Sequence, residues 1–135
     1  MKASEAMVAD PHVAVAGAMA SEVAIMLKTR NISVVPVVDD HRTRRFLGTL
    51  SDRDLVTRCL AEGKHPWHTR VDTLMRTTSP VVRPEQELTG FQVRMDLDPN
   101  ESHLRPTITV VDKDGCVVGF ISHPEQIEGV QIVWG

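Results

Sequence analysis

The sequence predicts an α/β fold made of two β-α-β-β-α repeats. Strand-like and helix-like stretches follow one another in the same order twice along the 135 residues. Apolar residues make up 41% of the chain and aromatic residues only 4%, so the core must consist mainly of Val, Ile, Leu and Met. Because one three-stranded repeat cannot cover both faces of its own sheet, we expect the two repeats to pack together about a pseudo-two-fold axis.

The internal repeat is the strongest signal in the chain. The phrases SEAM, from Ser4, and DTLM, from Asp72, occupy equivalent places at an offset of about 68 residues. A short strand that contains proline follows each of them, DPHVAV from Asp10 and SPVVRP from Ser79. The predicted boundaries are residues 1–63 for the first repeat, 64–71 for a linker and 72–135 for the second repeat.

Each repeat then continues with a predicted amphipathic helix. The first, MASEVAIMLKTRN, has Ser21 as a candidate N-cap and Asn31 as a plausible end. The second, EQELTGFQVRMDL from Glu85, cannot extend past Pro99. The apolar positions that predict the two helices are Val23, Met26 and Leu27 in the first, and Leu88, Phe91, Val93 and Met95 in the second.

A predicted hairpin and a further helix complete each repeat. The strands SVVPVVD and FLGTLS form the first hairpin, and TITVVD and CVVGFIS form the second, around the Asp-Gly of DKDG. The helix DRDLVTRCLAEG follows Ser51 and ends at Gly63, and the shorter HPEQIEG follows Ser122 and ends at Gly129. The final run VQIVWG is apolar, so we expect it to pair or pack.

The stretch GTLSDRDL lies where the first hairpin meets its helix. Asp54 comes three residues after Ser51, which is the spacing of a capping box. The same spacing directs a hydroxyl and a carboxylate to one point at the start of a helix. There a carboxylate can accept hydrogen bonds from the two hydroxyls of a ribose, while helix amides face phosphate. From these residues alone, an ordinary helix cap and a ligand site both remain open.

Composition and charge exclude several broad classes of function. A net charge of −3 spread along the chain gives no field for nucleic acid or an anionic membrane. The longest apolar run is too short to span a bilayer, and no secretory signal is visible at the N-terminus. Cys59 and Cys116 form no paired motif and suit a reducing compartment. We therefore expect a cytoplasmic protein.

This order of elements resembles a tandem pair of CBS domains, often called a Bateman module, over essentially the whole chain. The phrases that carry the resemblance are RNISVVPVVDD, LGTLSDRDLVTRCLAEG and VDTLM followed by SPVVRPEQEL. The resemblance implies a stand-alone, non-catalytic regulatory module that requires no cofactor. It also implies an adenosine ligand between the repeats, either AMP, ADP, ATP or an S-adenosylmethionine-like compound. A homodimer and an effector protein of unknown identity are further implications.

The resemblance also assigns ligand-binding residues. Gly48, Ser51 and Asp54 match the family's ribose-binding pattern, although Thr49 stands where that pattern has an apolar residue. Adenine would lie against the strand Val34-Val35-Pro36, and backbone groups near Ile32 would read its edge. The remaining residues that the resemblance implies are Val13, on the opposite wall, and Arg53, as the nearest cation for phosphate.

The second repeat departs from this pattern. Gly119 and Ser122 are in register, but Glu125 replaces the aspartate and Pro124 precedes it. A glutamate can still accept hydrogen bonds from a ribose, yet its longer side chain costs more entropy to fix. The resemblance therefore implies an altered second site, with Ser122 and Glu125 as its candidate residues.

Three alternatives remain open at the level of sequence. A scaffold that binds partners but no ligand would explain the altered second repeat. A metal-dependent enzyme would need ligands beyond His65 and His68, and no nearby Cys or carboxylate completes a tetrahedral set. The basic run HRTRR, from His41, could contact nucleic acid, but without aromatic neighbours it reads better as a solvated turn. We expect neither a catalytic residue nor a metal ligand.

Overall fold

Two clusters of buried apolar side chains organise the chain into two units. The computed structural model describes residues 1–95 and 105–134. One unit consists of residues 12–77, and the other of residues 1–11 together with the described part of residues 78–135. Residues 1–11 therefore lie with the C-terminal half of the chain, whereas the sequence repeat places them in the N-terminal half.

The unit of residues 12–77 is built on a three-stranded sheet. Its strands lie in the order β2 (Ala14–Val15), β3 (Val34–Val38) and β4 (Phe46–Ser51). β2 runs parallel to β3, and β3 runs antiparallel to β4, as the hairpin prediction requires. The helix α2 buries Val23 and Leu27 in the core of this unit. The elements are β2 (Ala14–Val15), α2 (Ala20–Arg30), β3 (Val34–Val38), β4 (Phe46–Ser51), α3 (Asp52–Asp54), a π-helical continuation (Leu55–Leu60) and a 3₁₀ turn (Val71–Thr73).

The ends of α2 confirm one prediction and correct another. Asn31 ends the helix with φ of 53°, in the left-handed region that asparagine tolerates, and its N–H donates to the carbonyl of Lys28 at 3.3 Å. Ser21 is not the N-cap. The N-cap is Met19, and Ser21 is the second helical residue and is buried. The helix therefore begins at Ala20, one residue before Ser21, and the side chain of its N-cap makes no capping hydrogen bond.

The other unit repeats this plan on a four-stranded sheet in the order β1-β8-β7-β5. β5 runs parallel to β7, and β7 runs antiparallel to β8. The register of each hairpin shifts at the same place, between Val37 and Val38 in β3 and between Val110 and Val111 in β7. The elements are α1 (Ala3–Ala6), β1 (Val8–Ala9), β5 (Val81–Val82), β6 (Gln92–Met95), β7 (Ile108–Val111), β8 (Val117–Ile121), a 3₁₀ turn (Pro124–Gln126) and β9 (Gln131–Trp134).

The helix predicted for EQELTGFQVRMDL is wrong. Gly90 has φ of +81°, and β6 follows it and pairs in parallel with β9. Phe91, Val93 and Met95 are spaced two residues apart, so their apolar side chains fit a strand better than a helix. Pro99, the predicted barrier, lies outside the described residues. The pairing of β9 confirms the prediction that VQIVWG pairs rather than remaining free.

The predicted α/β class is confirmed by this mixture of sheets and helices. Among residues 1–95 and 105–134, no helix combines the length and the hydropathy that a bilayer crossing requires.

Candidate functional site

The predicted capping box forms where β4 meets α3. The backbone N–H of Asp54 donates to Ser51 Oγ at 3.1 Å, and the backbone N–H of Ser51 donates to Asp54 Oδ2 at 2.9 Å. The two side chains are thereby fixed relative to each other without any ligand. The hydroxyl and the carboxylate do converge at the helix start, as the sequence predicted.

The carboxylate of Asp54 is buried and already has cationic partners. Its side chain is 1% exposed, and Arg76 Nε donates to Oδ1 at 2.9 Å. Arg58 Nε lies 3.8 Å from the same oxygen, one helical turn along. Burial of a carboxylate is tolerated only when such partners compensate the loss of water. Asp54 therefore anchors this part of the unit.

Arg76 is a further residue of the site that the sequence did not predict, because the only cation named for the site from the sequence is Arg53. The backbone N–H of Arg76 donates to the carbonyl of Thr49 at 2.8 Å, and the N–H of Thr49 donates back to the carbonyl of Arg76 at 2.9 Å. This pairing lays residue 76 along the free edge of β4, beside Asp54. Arg76 immediately follows the repeated phrase DTLM. This position in the repeat was the sequence feature that could have indicated a role for Arg76.

Gly48 makes this close approach possible. A Cβ on Gly48 would collide with the carbonyl oxygen of Arg76 and would lie 3.1 Å from Met75 Sδ. The glycine of the ribose pattern therefore has a structural function here, because it admits the backbone that carries Arg76.

Arg58 connects the helix to the same segment. Its Nη1 donates to the carbonyls of Leu74 and Met75, at 3.2 and 3.3 Å. Two guanidinium groups thus face one carboxylate. Arg53, the cation named from the sequence, is exposed on the first turn of the helix, one residue before Asp54.

The strand residues assigned to the adenine are well packed. Val35 and Pro36 are buried, and Val35 belongs to the core cluster of this unit. Val13 is buried immediately before β2, and Ile32 packs partly against the core. The N–H of Ile32 donates to the carbonyl of Leu27 at 3.0 Å, so that group is engaged within the protein.

Comparison with known proteins finds a family match. Residues 3–61 match the family model described as CBS domain. Over this range the chain is similar to CBS domains. In sequence it matches no curated protein.

Three solved structures with the same fold each align over 90% of this chain. One is Hypoxic Response Protein I with two coordinated zinc ions (20% identity, TM-score 0.71, 92% of that chain covered). A second is a CBS domain-containing protein of Bacillus anthracis strain Ames Ancestor (17%, 0.72, 86%). A third is CBSX2 in complex with AMP (23%, 0.66, 89%). The predicted fold of a tandem CBS pair is confirmed.

Among its described residues, the unit that contains Ser122 and Glu125 has no equivalent of the buried ion pair. Ser122 and Glu125 are both exposed, and the 3₁₀ turn Pro124–Gln126, which contains Glu125, has no side-chain cap. Glu125 Oε1 lies 3.2 Å from Nδ1 of His123 rather than beside Ser122. Val8 stands where the first site has Arg76, and it is 65% exposed. The two candidate sites therefore differ in burial, in charge and in partners.

The basic turn between β3 and β4 is organised by two acidic residues. Asp39 Oδ1 accepts hydrogen bonds from Thr43 Oγ1 at 2.6 Å and from the N–H of Arg45 at 2.8 Å, and these bonds lower the pKa of Asp39. Asp40 Oδ1 accepts from the N–H groups of Thr43 and Arg42, both at 2.8 Å, which lowers its pKa as well. The turn is thus held by its own side chains.

The histidines of the linker lie close to each other. The ring centroids of His65 and His68 are 4.6 Å apart, and the backbone N–H of Trp67 donates to His65 Nδ1 at 3.2 Å. In the part of the chain that the structure describes, no three His, Cys, Asp or Glu side chains group closely enough to hold a metal ion.

Proposed function

We propose that this protein binds an adenosine-containing ligand at Ser51 and Asp54 and transmits the bound state to a partner. The observation that carries the proposal is the hydroxyl–carboxylate pair held at the helix start by the capping box, with Arg58 and Arg76 beside it. A carboxylate so held can accept from the two hydroxyls of a ribose, and the arginines can compensate its charge. That CBSX2 has been solved with AMP supports the class of ligand.

In this mechanism the ligand acts by differential affinity. A ligand that binds one conformation more tightly than another shifts the population by that difference alone. The protein would be regulatory rather than catalytic, and the conformation that the ligand selects would be recognised by an effector protein. We propose that the protein works in the cytoplasm, where adenine nucleotides are plentiful, and that it needs no other cofactor.

A thermal-shift screen with AMP, ADP, ATP and S-adenosylmethionine tests the proposal. A ligand that binds only the folded state stabilises it by about 2.7 kcal/mol at a hundred times its Kd, which raises Tm by several degrees. We expect a shift with at least one of the four. Asp54→Asn keeps a cap-forming side chain but loses the charge, and we expect it to abolish the shift relative to its own ligand-free baseline.

The second candidate function is a scaffold without a ligand. It is favoured by the partners that Asp54 already has inside the protein, since Arg76 covers the carboxylate that a ribose would need. Absence of a shift with all four ligands at millimolar concentration would favour the scaffold. A thermal shift that persists in Asp54→Asn would show that the ligand binds elsewhere and would contradict the assignment of Asp54.

We further propose that the protein forms a homodimer through an apolar stripe on the π-helical segment. Leu55 and Cys59 on one side of this segment are buried in the core, whereas Val56 and Leu60 on the other side are 51% and 58% exposed. Apolar side chains on both sides of a surface helix indicate a second apolar partner. Ile25 on α2 and Trp67 in the linker are exposed apolar residues of the same unit.

Leu60→Asp is expected to shift the protein from dimer to monomer in sedimentation-velocity measurements, because a buried charge at the contact has no partner. Glu62→Lys is the matched control, since it alters one exposed charge two residues further on and leaves the stripe intact. An unchanged sedimentation coefficient in Leu60→Asp would contradict this interface.

A further inference from the structure

We propose that the side chain of Arg76 is a lid over Asp54, and that an adenosine ligand must displace it to reach the carboxylate. The inference rests on the proposed function, because it concerns access to the same site. It makes Arg76 a residue that determines ligand affinity, although Arg76 lies outside the motif Gly48-Thr49-Leu50-Ser51-Asp52-Arg53-Asp54.

The first step of the inference is a count of hydrogen bonds at Asp54. Oδ2 accepts from the N–H of Ser51 and Oδ1 accepts from Arg76 Nε. Each carboxylate oxygen can accept about two hydrogen bonds, so acceptor capacity remains for a ribose. Access does not remain, because the side chain of Asp54 is 1% exposed. Access to the carboxylate, rather than its acceptor capacity, therefore limits ligand binding in the ligand-free protein.

The second step identifies which group can move. The backbone of residue 76 is paired with Thr49 through two hydrogen bonds and lies against Gly48, where even a Cβ would collide with it. The Arg76 side chain is 12% exposed, so it already reaches the surface. Rotation about its side-chain bonds uncovers Asp54, whereas displacement of the backbone would break the edge of the sheet. We therefore assign the movement to the side chain.

The third step concerns the charge left behind. When Arg76 rotates away, Asp54 keeps the N–H of Ser51 and the nearby Arg58, whose Nε lies 3.8 Å from Oδ1. Arg58 is itself held by the carbonyls of Leu74 and Met75. The buried carboxylate is not left unpaired, so the two ribose hydroxyls can replace one guanidinium donor.

The internal repeat supplies an independent comparison. The residue equivalent to Arg76 is Val8, which also lies on the strand next to the hairpin and pairs with Phe120. Val8 cannot pair with a carboxylate, and the equivalent Glu125 is exposed. The buried carboxylate and the arginine that covers it thus occur together in the unit of residues 12–77, and both are missing from the described part of the other unit.

Calorimetric titration with adenosine and with AMP tests the lid. Arg76→Met keeps an unbranched, flexible side chain but cannot hydrogen-bond to Asp54. Removing a competing charge-assisted hydrogen bond is expected to tighten the binding of both compounds by about tenfold. Arg58→Met is the matched control, because it removes the other arginine while Arg76 still covers Asp54. We expect no tightening in that variant.

A second measurement uses the wild-type protein and so does not depend on the stability of a variant. The side-chain Nε–H of Arg76, observed by ¹H–¹⁵N NMR, should exchange slowly with water in the ligand-free protein, because it is hydrogen-bonded at a buried carboxylate. Saturation with adenosine should move this resonance towards that of an exposed arginine and speed its exchange.

The outcomes separate the lid from the proposed function. Equal or weaker binding by Arg76→Met than by the wild type, with an unmoved Arg76 resonance, would overturn the lid and leave the proposed function intact. Failure of wild type and Arg76→Met alike to bind adenosine or AMP would overturn both. Tighter binding by Arg76→Met, lost again when Asp54→Asn is added, would support both.

Discussion

Asp54→Ala is expected to lower the free energy of unfolding by about 3 kcal/mol, because it removes the buried carboxylate to which the guanidinium of Arg76 donates. The figure lies at the lower end for a broken buried pair, since Arg58 is about one-third exposed and Arg76 can turn towards water. Loss of the capping interaction with Ser51 adds to the effect. Urea denaturation followed by far-UV circular dichroism measures it.

Asp52→Ala is the matched control for this prediction. Asp52 lies two residues earlier in the same helical turn, but it is exposed. We expect a change below about 1 kcal/mol, as is usual for an exposed side chain away from a buried network. Equal effects of the two substitutions would show that the Asp54–Arg76 pair contributes no more than a surface charge, and would contradict the role assigned to it.

Gly48→Ala is expected to destabilise the protein by about 3 kcal/mol, at the upper end for overpacking. The new Cβ meets the carbonyl oxygen of Arg76, which is a backbone atom fixed by its pairing with Thr49. Relief of this collision requires the segment that carries Arg76 to move off the edge of β4. The substitution should therefore also separate Arg76 from Asp54, which the NMR signal of Arg76 Nε–H would report.

Gly119→Ala supplies the comparison within the same chain. Gly119 is the equivalent glycine of the second repeat, and a Cβ there meets the side chain of Met7 rather than backbone. Another methionine rotamer removes the collisions with Sδ and Cγ but not the 2.9 Å contact with Met7 Cβ, so we expect a cost of about 2 kcal/mol. A larger cost for Gly119→Ala than for Gly48→Ala, in thermal or urea unfolding, would contradict this account.

The fold was predictable from the sequence where local patterns agreed with the internal repeat. Both hairpins were predicted to within a residue or two at each end, because β-branched runs and the equivalent turn positions occur twice. The helix over 85–97 failed because apolar residues were assigned to a helical face although three of them alternate. Gly90, inside the predicted helix, was the clearest local sign against it.

The candidate site was predictable only in part, for a different reason. Ser51 and Asp54 are three residues apart, so their meeting is a local property of a helix start. Arg76 is 22 residues from Asp54, and it reaches the site only because its segment pairs with the edge of β4. Spacing in the sequence cannot reveal such a contact. The ligand-binding functions stay predictions for all the site residues named from the sequence, which are Gly48, Ser51, Asp54, Ile32, Val35, Pro36, Val13, Arg53, Ser122 and Glu125.

The distribution of the two units along the chain sets the order in which they can form during synthesis. The unit of residues 12–77 is continuous, so all of its strands and the Asp54–Arg76 pair are available once residue 77 has left the ribosome. The other unit needs residues 1–11 as well as residues beyond 78, and β1 has its partner β8 only after Ile121 has been made. Residues 1–11 can therefore pair in a sheet only after residues up to 121, made more than a hundred residues later, are present.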